Sequence, residues 1–392
     1  MPSHLGARAI EDATRHGNAI LKFISPNDVG LTGSHQCGYY LPKSAWELFT
    51  PHAPLKGQNT EHSVMVRWPD DRETESRVKW YGMGTRSEYR LTRFGKDFPY
   101  LSADCVGDLL VLIPRTLHEF IAHVLDLEED IDEIQAALGI EVTSRWAVYK
   151  AGEAQIETAD DCIDRNFKEF ARPLTEFPDG RTFSDATRRF LQECIATFRD
   201  GEHDHRLMLS IDMEYRLFRF VERQICRSDV TRVFRDIDDF LRTASQIMNR
   251  RKARAGRSLE NHVEFFLKEA GVPHEMRPDI DGKPDVIIPS AAAYRDGNYP
   301  AEKLFAVGVK TTCKDRWRQV LNEAHRVRKK HIFTIQQGIS IPQLREMHTA
   351  NVTLVVPKPL HRLYPAGAGI KMMDLHDFAE RVRRTVRRDL YK

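Results

Sequence analysis

The sequence predicts a two-domain protein, with a β-rich N-terminal domain at 1–152, a linker at 153–180 and an α/β domain at 181–392. Three observations carry that fold class. A chain of 392 residues exceeds one ordinary domain; short apolar pieces separated by turn residues fill its N-terminal part; and strands alternate with helices towards its C-terminus. With 41% hydrophobic and 30% charged residues the chain can bury a core and cover it, which excludes disordered, collagen-like and disulfide-dense classes. The 59 Lys and Arg nearly balance the 57 Asp and Glu, so a net charge of +2 exerts no global pull on nucleic acid or on an anionic membrane. Any polyanion site must come from local clustering.

The first turns are interrupted by His4, Arg8, Glu11, Asp12 and Arg15, so no secretion signal is expected. Ile20–Ile24, Val64–Trp68, Arg77–Tyr81, Tyr89–Gly95 and Leu109–Ile113 read as strands of a barrel or sandwich. Leu109–Ile113 is also the longest aliphatic run, far short of the roughly 20 residues that span a bilayer. Leu117, Phe120, Ile121, Val124 and Leu127 recur at helical spacing and predict a helix over Thr116–Ala137. The pattern then loses its period among Glu157, Asp160, Asp161 and Asp164 and meets Pro173, Pro178, Asp179 and Gly180, which places the linker. Ser184–Ile247 reads as helical and leads into the basic segment Arg250–Arg257. A helix over Ser258–Ala270 stops at Gly271. Strands at Asp285–Ile288, Leu304–Val309, His331–Ile335 and Val352–Val356 follow, separated by helices at Asp315–Lys330 and Pro342–Thr349. Six cysteines with no CxxC pair argue against a zinc ribbon or a disulfide framework and for thiols in a reducing cytosol.

Polar residues end the apolar elements of the α/β domain. Asp285 follows Pro284 at the start of one strand, Lys310 ends the next, Glu323 falls within the predicted helix after it, and Glu260 lies on the preceding helix. Phosphodiester hydrolysis requires carboxylates to hold Mg²⁺ and a cation near the attacking water or the scissile phosphate, and these residues supply that set. A structural ion pair accounts for the same residues. Glu202-His203-Asp204-His205 resembles a metal cluster but has no distant third ligand, so a helix cap is the expectation. Cys313 is expected to pack, and no phosphate-binding P-loop occurs.

At these residues the chain resembles a known family. KTTCKDRWRQVLNE from Lys310 to Glu323 and PDVIIPSAAAY from Pro284 to Tyr294 resemble the catalytic domain of the EcoRII-type restriction endonucleases. Arg254–Glu264, Leu344–Met347 and Leu354–Pro357 continue the similarity. Asn27–Gln36, Gly38–Lys43 and Arg90–Gly95 resemble that family's effector domain, whereas about 98–170 matches poorly. The resemblance implies a C-terminal PD-(D/E)xK fold, Mg²⁺-dependent double-strand cleavage, and an N-terminal B3-like pseudobarrel that binds a second copy of the target. The residue two before Lys310 is Gly308 where the superfamily motif has an acid, so the second carboxylate must come from elsewhere. Related enzymes supply it from the following helix, which matches Glu323. Asp285 and Glu323 are then metal ligands, Lys310 orients water and phosphate, and Glu260 supports the site. Tyr294 matches a position linked with catalysis; a plain loop aromatic fits it equally.

Lys314, Asp315, Arg316 and Arg318 open the predicted helix that carries Glu323. Arg presents a fork to guanine and Asp accepts from cytosine, and the resemblance implies a CCWGG-like site read partly by Arg316. A solvated charged helix start explains the same run. In the N-terminal domain His35, Tyr40, Arg86, Arg90, Arg93 and Lys96 alternate with apolar residues and suit contact with double-stranded DNA; a half-exposed sheet face does so too. The basic segment Arg250–Arg257 is expected to clamp the DNA backbone. The resemblance further implies a homodimer, a cognate DNA methyltransferase as functional partner and a bacterial cytoplasmic setting. Two other readings remain open from sequence: a DNA-binding regulator with an inactive nuclease fold, and a repair or junction-resolving nuclease.

Overall fold

The computed structural model describes residues 3–32, 37–84, 86–143, 145–152, 161–365 and 372–386. The chain forms two compact units. One comprises 1–153 with 336–345 and 362–369; the other comprises 154–335 with 346–361 and 370–392.

The first unit opens with helix α1 (His4–His16), capped by Ser3 and ended by Gly17 at φ 71°. Its strands are β1 (Asn18–Phe23), β2 (Tyr39–Leu41), β3 (Asn59–Arg67), β4 (Glu73–Tyr81), β5 (Glu88–Thr92), β6 (Leu109–Pro114), β7 (Glu119–Leu125) and β8 (Trp146–Lys150), with helix α2 (Glu128–Leu138) between the last two. They form one sheet in the order β2-β5-β4-β3-β7-β6-β1-β8, antiparallel except for the β3–β7 pair. Alternation along β4 turns Thr74, Ser76, Val78 and Trp80 inward. Every residue of β6 is buried, because one side of the sheet encloses Val64, Trp80, Leu110 and Leu112 while the other packs Leu109, Val111 and Ile113 on α1 and α2. Edge strands of a flat eight-stranded sheet lie about 34 Å apart. Here Tyr40 of β2 stacks on Trp146 of β8 with ring centroids 5.7 Å apart, so the sheet curls until its edges meet.

The helix expected over Thr116–Ala137 is corrected to strand β7 followed by α2. Phe120, Ile121, Val124 and Leu125 are buried on both sides of the sheet, and a short apolar run of that kind satisfies helical and strand spacing alike. Pairing with β6, Leu109 to Leu125 through Pro114 to Phe120, decides in favour of the strand.

The second unit contains helices α3 (Asp161–Ala171), α4 (Gly180–Cys194), α5 (His203–Ile225), α6 (Arg227–Thr231) and the 33-residue α7 (Ile237–Glu269). Strands β9 (Glu275–Met276), β10 (Val286–Ile288), β11 (Phe305–Lys310), β12 (Lys330–Thr334), β13 (Val352–Val355) and β14 (Met372–Met373) form its sheet, with helices α8 (Ala291–Arg295), α9 (Ile341–Thr349) and α10 (Leu375–Val386). Strands β9, β10 and β11 run antiparallel, and β11 to β14 run parallel. On one face Phe305, Val307 and Val309 meet Leu259, Val263 and Phe266 of α7 and Phe378 and Val382 of α10. On the other, Ile287 and Ala306 pack on Ala291 and Tyr294 of α8 and on Ala324 and Val327.

Three expectations change here. The segment 153–180, read as a linker, holds α3, whose Ile163, Phe167 and Ala171 pack with Phe190 of α4 and Leu217 of α5. The helix at Ser258–Ala270 is the end of α7, which runs unbroken through the basic segment. Cys162 and Cys194, 32 residues apart, form a disulfide with their Cα atoms 5.7 Å apart, against the expectation of thiols only. The pairing is set by the packing of α3 on α4, which no local cysteine spacing encodes.

Candidate active site

Antiparallel pairing of β10 with β11 sets Val286 opposite Val307 and so brings the start of one strand beside the end of the other. Asp285, just before β10, accepts through Oδ2 from the Val309 backbone N–H at 2.7 Å and from Lys310 Nζ at 2.8 Å. Both side chains are about one-fifth exposed, so the pair opens to solvent on one side only. Lys310 is the last residue of β11, where the apolar run Phe305–Val309 ends.

Glu323 reaches this pair by a route that the sequence did not predict. In place of a helix over Asp315–Lys330 there is one short 3₁₀ helix, Arg316–Asn322, and Glu323 follows it in extended backbone at φ −103°, ψ 142°. Ala324 at φ 44° ends any helical continuation, and its N–H donates to the Asp281 carbonyl at 2.9 Å. His325 N–H donates to Asp281 Oδ2 at 2.7 Å. Lys330 Nζ donates to the carbonyls of Glu323 and Ala324 from beneath. The Glu323 side chain is buried. Burial pushes its carboxyl up to about 7; Lys310 opposes that rise, Asp285 adds to it, and Lys330 opposes it.

Glu260 enters from α7. Its carboxylate pairs with Arg277 at 2.6 Å, and burial raises its pKa, with Arg277 opposing the rise and Asp285 adding to it. Asp285, Lys310, Glu323 and Glu260 therefore share one electrostatic neighbourhood of three carboxylates around one lysine. Gly308 leaves room for it: a Cβ there would meet Val320 Cγ1 at 2.7 Å and stand 3.9 Å from Asp285 Oδ2.

Tyr294 is not in that cluster and is not a loop aromatic. It is buried on α8, and its hydroxyl donates to Asp281 Oδ1 at 2.5 Å and accepts from Arg326 N–H at 3.3 Å. Burial raises its pKa and the bond to Asp281 adds to the rise, so the phenol stays a donor that steadies the turn after Glu323. Asp281, Gly282 and Lys330 are the residues that sequence reasoning missed. The Asp281-Gly282 dipeptide four residues before Asp285 is a turn signal that marks the place.

The predicted base readers are unevenly displayed. Lys314 is buried, Asp315 is exposed at the start of the 3₁₀ helix, Arg316 is half-buried, and exposed Arg318 pairs with Glu346 and lies over Trp317. In the first unit Arg90 is buried, hydrogen-bonds Glu88 at 2.9 Å and lies over Tyr40, its neighbour across β2 and β5. Arg86 lies over Tyr81, and Arg93 and Lys96 are exposed. His35 lies outside the described residues. The backbone clamp expected of the basic segment is corrected in part: Arg251 pairs with Glu222, Arg254 is buried over Tyr215 and Phe218, and Arg250 lies over Phe177. The run 202–205 does open a helix, but Glu202 at the N-cap makes no side-chain cap hydrogen bond, and Asp204 is buried and accepts from the N–H groups of Lys358 and Leu375.

Among the described residues no three His, Cys, Asp or Glu side chains converge as a metal-holding group. Two carboxylates of raised mutual repulsion, Asp285 and Glu323, nonetheless suit a hard divalent ion that takes its remaining oxygens from water and phosphate.

The chain resembles known proteins along most of its length. The family described as EcoRII C terminal matches residues 218–379, and that described as restriction endonuclease EcoRII, N-terminal, matches 13–153. The type II restriction enzyme EcoRII of Escherichia coli is 31% identical over 389 residues, covering 94% of this chain and 95% of that protein. The type II restriction enzyme SsoII of Shigella sonnei is 25% identical over 118 residues, 27% of this chain and 37% of that one. Among solved structures, metal-depleted Ecl18kI with uncleaved, modified DNA gives a TM-score of 0.45 at 16% identity over 58% of this chain and 84% of that chain. A PspGI complex with substrate DNA gives 0.44 at 14% identity, over 54% and 93%. With both of its family segments matched in order and a curated relative aligned along nearly its whole length, the chain belongs to the EcoRII family of type II restriction endonucleases, which are site-specific deoxyribonucleases.

Proposed function

We propose that the second unit is a PD-(D/E)xK nuclease that makes Mg²⁺-dependent double-strand cuts at a short G·C-flanked, CCWGG-like site. The observation that supports this most directly is the Asp285–Lys310 pair at 2.8 Å with Glu323 and Glu260 in its field. Asp285 and Glu323 would hold the cation, which supplies charge neutralisation at the scissile phosphate. Lys310 would then orient the attacking water and stabilise charge on the phosphate, Glu260 would support Asp285 and Lys310 from α7, and Tyr294 would keep the Glu323 turn in place through Asp281. Arg316, Arg318, Lys314 and Asp315, next to Glu323 in sequence, would couple base reading to the metal site.

The protein would act as a homodimer, each protomer cutting one strand of a near-palindromic site, and would be paired in a bacterial cytoplasm with a methyltransferase that protects the host genome. The first unit, proposed as a B3-like effector domain over 1–152, would bind a second copy of the site through Tyr40, Arg86, Arg90, Arg93, Lys96 and His35.

Unmethylated multi-site phage DNA incubated with the full chain is expected to give sharp bands with Mg²⁺ and none with EDTA, and end sequencing then reads the site. Specific binding without cutting would instead favour the regulator. Lys310→Ala should keep specific binding and lower the single-turnover cleavage rate by ~100-fold or more; near-wild-type cutting sinks the assignment of the site. Circular DNA with two sites should be cut faster than DNA with one, and equal rates would remove the effector role.

A further inference from the structure

A cavity of about 430 Å³ lies in the second unit beside the start of β11, at the end of that strand away from Lys310, and the proposed cleavage mechanism makes no use of it. Phe305 at the start of β11 and His331 on β12 form part of its wall, their rings 5.4 Å apart. His331 stands opposite Val307 in register, whereas Lys310 stands opposite Thr334, three positions along β12, which is about 10 Å, and on the alternate face. The cavity is thus separate from the carboxylate cluster, although the loop between them contributes Glu323 and Lys330 to the cluster and residues 326–329 to the cavity wall.

The lining is cationic. Arg328, Lys329 and Arg381 contribute to the wall together with Arg326, and Glu302 is its one carboxylate. The Arg326 guanidinium is committed to the carbonyls of Tyr294, Asp296 and Tyr299. Arg328 and Arg381 enter no ion pair among the described residues. His331 is 1% exposed, and neither of its ring nitrogens has a hydrogen-bond partner among the described residues. A buried imidazole without a partner costs on the order of 1–3 kcal/mol and is unusual without a ligand or water to meet it. Burial and the nearby cations Lys329 and Arg381 keep this ring neutral, so it offers one donor and one acceptor.

We propose that this cavity is a binding site for a phosphate-bearing ligand of nucleotide class. A planar ring would lie along Phe305 and hydrogen-bond His331, and the phosphate would meet Arg328 and Arg381 at the mouth. The volume falls in the range of small-ligand sites, and two guanidiniums in no ion pair among the described residues suit phosphate oxygens. The phosphate can come from a free mononucleotide or from DNA.

The test is calorimetric titration of the metal-free full chain with inorganic phosphate, with deoxyadenosine monophosphate and with a duplex oligonucleotide lacking the target site. The Arg328→Gln/Arg381→Gln double variant and His331→Phe are titrated alongside. Saturable binding of the mononucleotide that weakens ~10-fold or more in the double variant supports the site with a free nucleotide as source. Failure of both small ligands with a similar loss of duplex affinity in the double variant and in His331→Phe, which leaves every charge in place, supports it with DNA as source. Binding unchanged by the double variant, or no binding of any of the three, overturns the proposal. Arg328 is exposed and Arg381 half-buried, so the double variant keeps its fold.

Discussion

Glu323 carries the sharpest electrostatic conflict in the candidate site, because a carboxyl pushed up to about 7 must be ionised to hold a cation. Below pH 7 the proton wins increasingly, so cleavage at limiting Mg²⁺ should fall by ~10-fold per pH unit and recover with excess Mg²⁺. Single-turnover rates between pH 8 and 5.5 at two Mg²⁺ concentrations check this; a profile with the same slope at both counts against Glu323 as the group. The buried pair Lys22–Asp28, at 2.6 Å, is the corresponding structural case in the first unit. Asp28 also accepts from Ser25 N–H, Ser25 Oγ and Tyr40 N–H, tying β1 to β2. Asp28→Ala strands a buried ammonium and should destabilise that unit by roughly 3–5 kcal/mol, read by chemical denaturation. Among the catalytic candidates, Asp285 and Lys310 stand out in sequence as charges at the ends of apolar runs, whereas Glu260 and Glu323 were singled out by their places on the neighbouring predicted helices and by the family resemblance. Asp281 and Asp28 were not, since an Asp that serves loop N–H groups looks in sequence like any turn residue.

At the scale of elements, the central strands β1, β6 and β10 to β13 were legible, whereas β7, read as a helix, and the segment that delivers Glu323 were not. The strand β11 announces itself by five apolar or small residues ended by Lys310. The stretch after it has helical spacing, Trp317, Val320, Leu321 and Ala324, but Asp281 captures the N–H groups of Ala324 and His325 and the helix stops after one short 3₁₀ segment. That capture is a long-range contact, and local periodicity holds no trace of it. Gly282 makes it possible: at φ 70°, an added Cβ would run into the Asn322 carbonyl and stand 2.5 Å from Glu323 Cα. Gly282→Ala therefore combines a left-handed backbone cost of about 1–2 kcal/mol with displacement of the Glu323 backbone. Cleavage should drop ~10-fold or more, out of proportion to a modest loss in melting temperature, because near-attack geometry is lost by shifts of about 1 Å. A fall in stability with unchanged cleavage would separate Gly282 from the site.

For the whole molecule, the two-domain division was legible from texture, but its junction was not. A fragment starting at Phe177, within the last residues of the expected linker, would lack α3 and leave Phe190 and Leu217 without Phe167 as a neighbour. The near-neutral charge likewise hides where protonation acts on the fold, because one fully buried imidazole outweighs many exposed pairs. His331 sits between Phe305 and Phe378, its ring 5.4 Å from each, and burial pushes its pKa down to about 3 from the ordinary 6.5. The unfolded chain takes this proton first, so the contribution of a neutral His331 is complete above about 6.5. It is lost as pH falls towards 3, at up to ~1.4 kcal/mol per unit. Denaturant unfolding of the second unit at pH 7 and pH 5 should show a loss approaching ~2 kcal/mol in the wild type. His331→Phe keeps the aromatic packing and removes the titrating group, so its pH dependence over that interval should be smaller by about the same amount. Equal pH dependence in the two proteins would mean that the buried ring is already met by a partner that offsets its desolvation, and the acid sensitivity of this unit would have to come from its carboxylates instead.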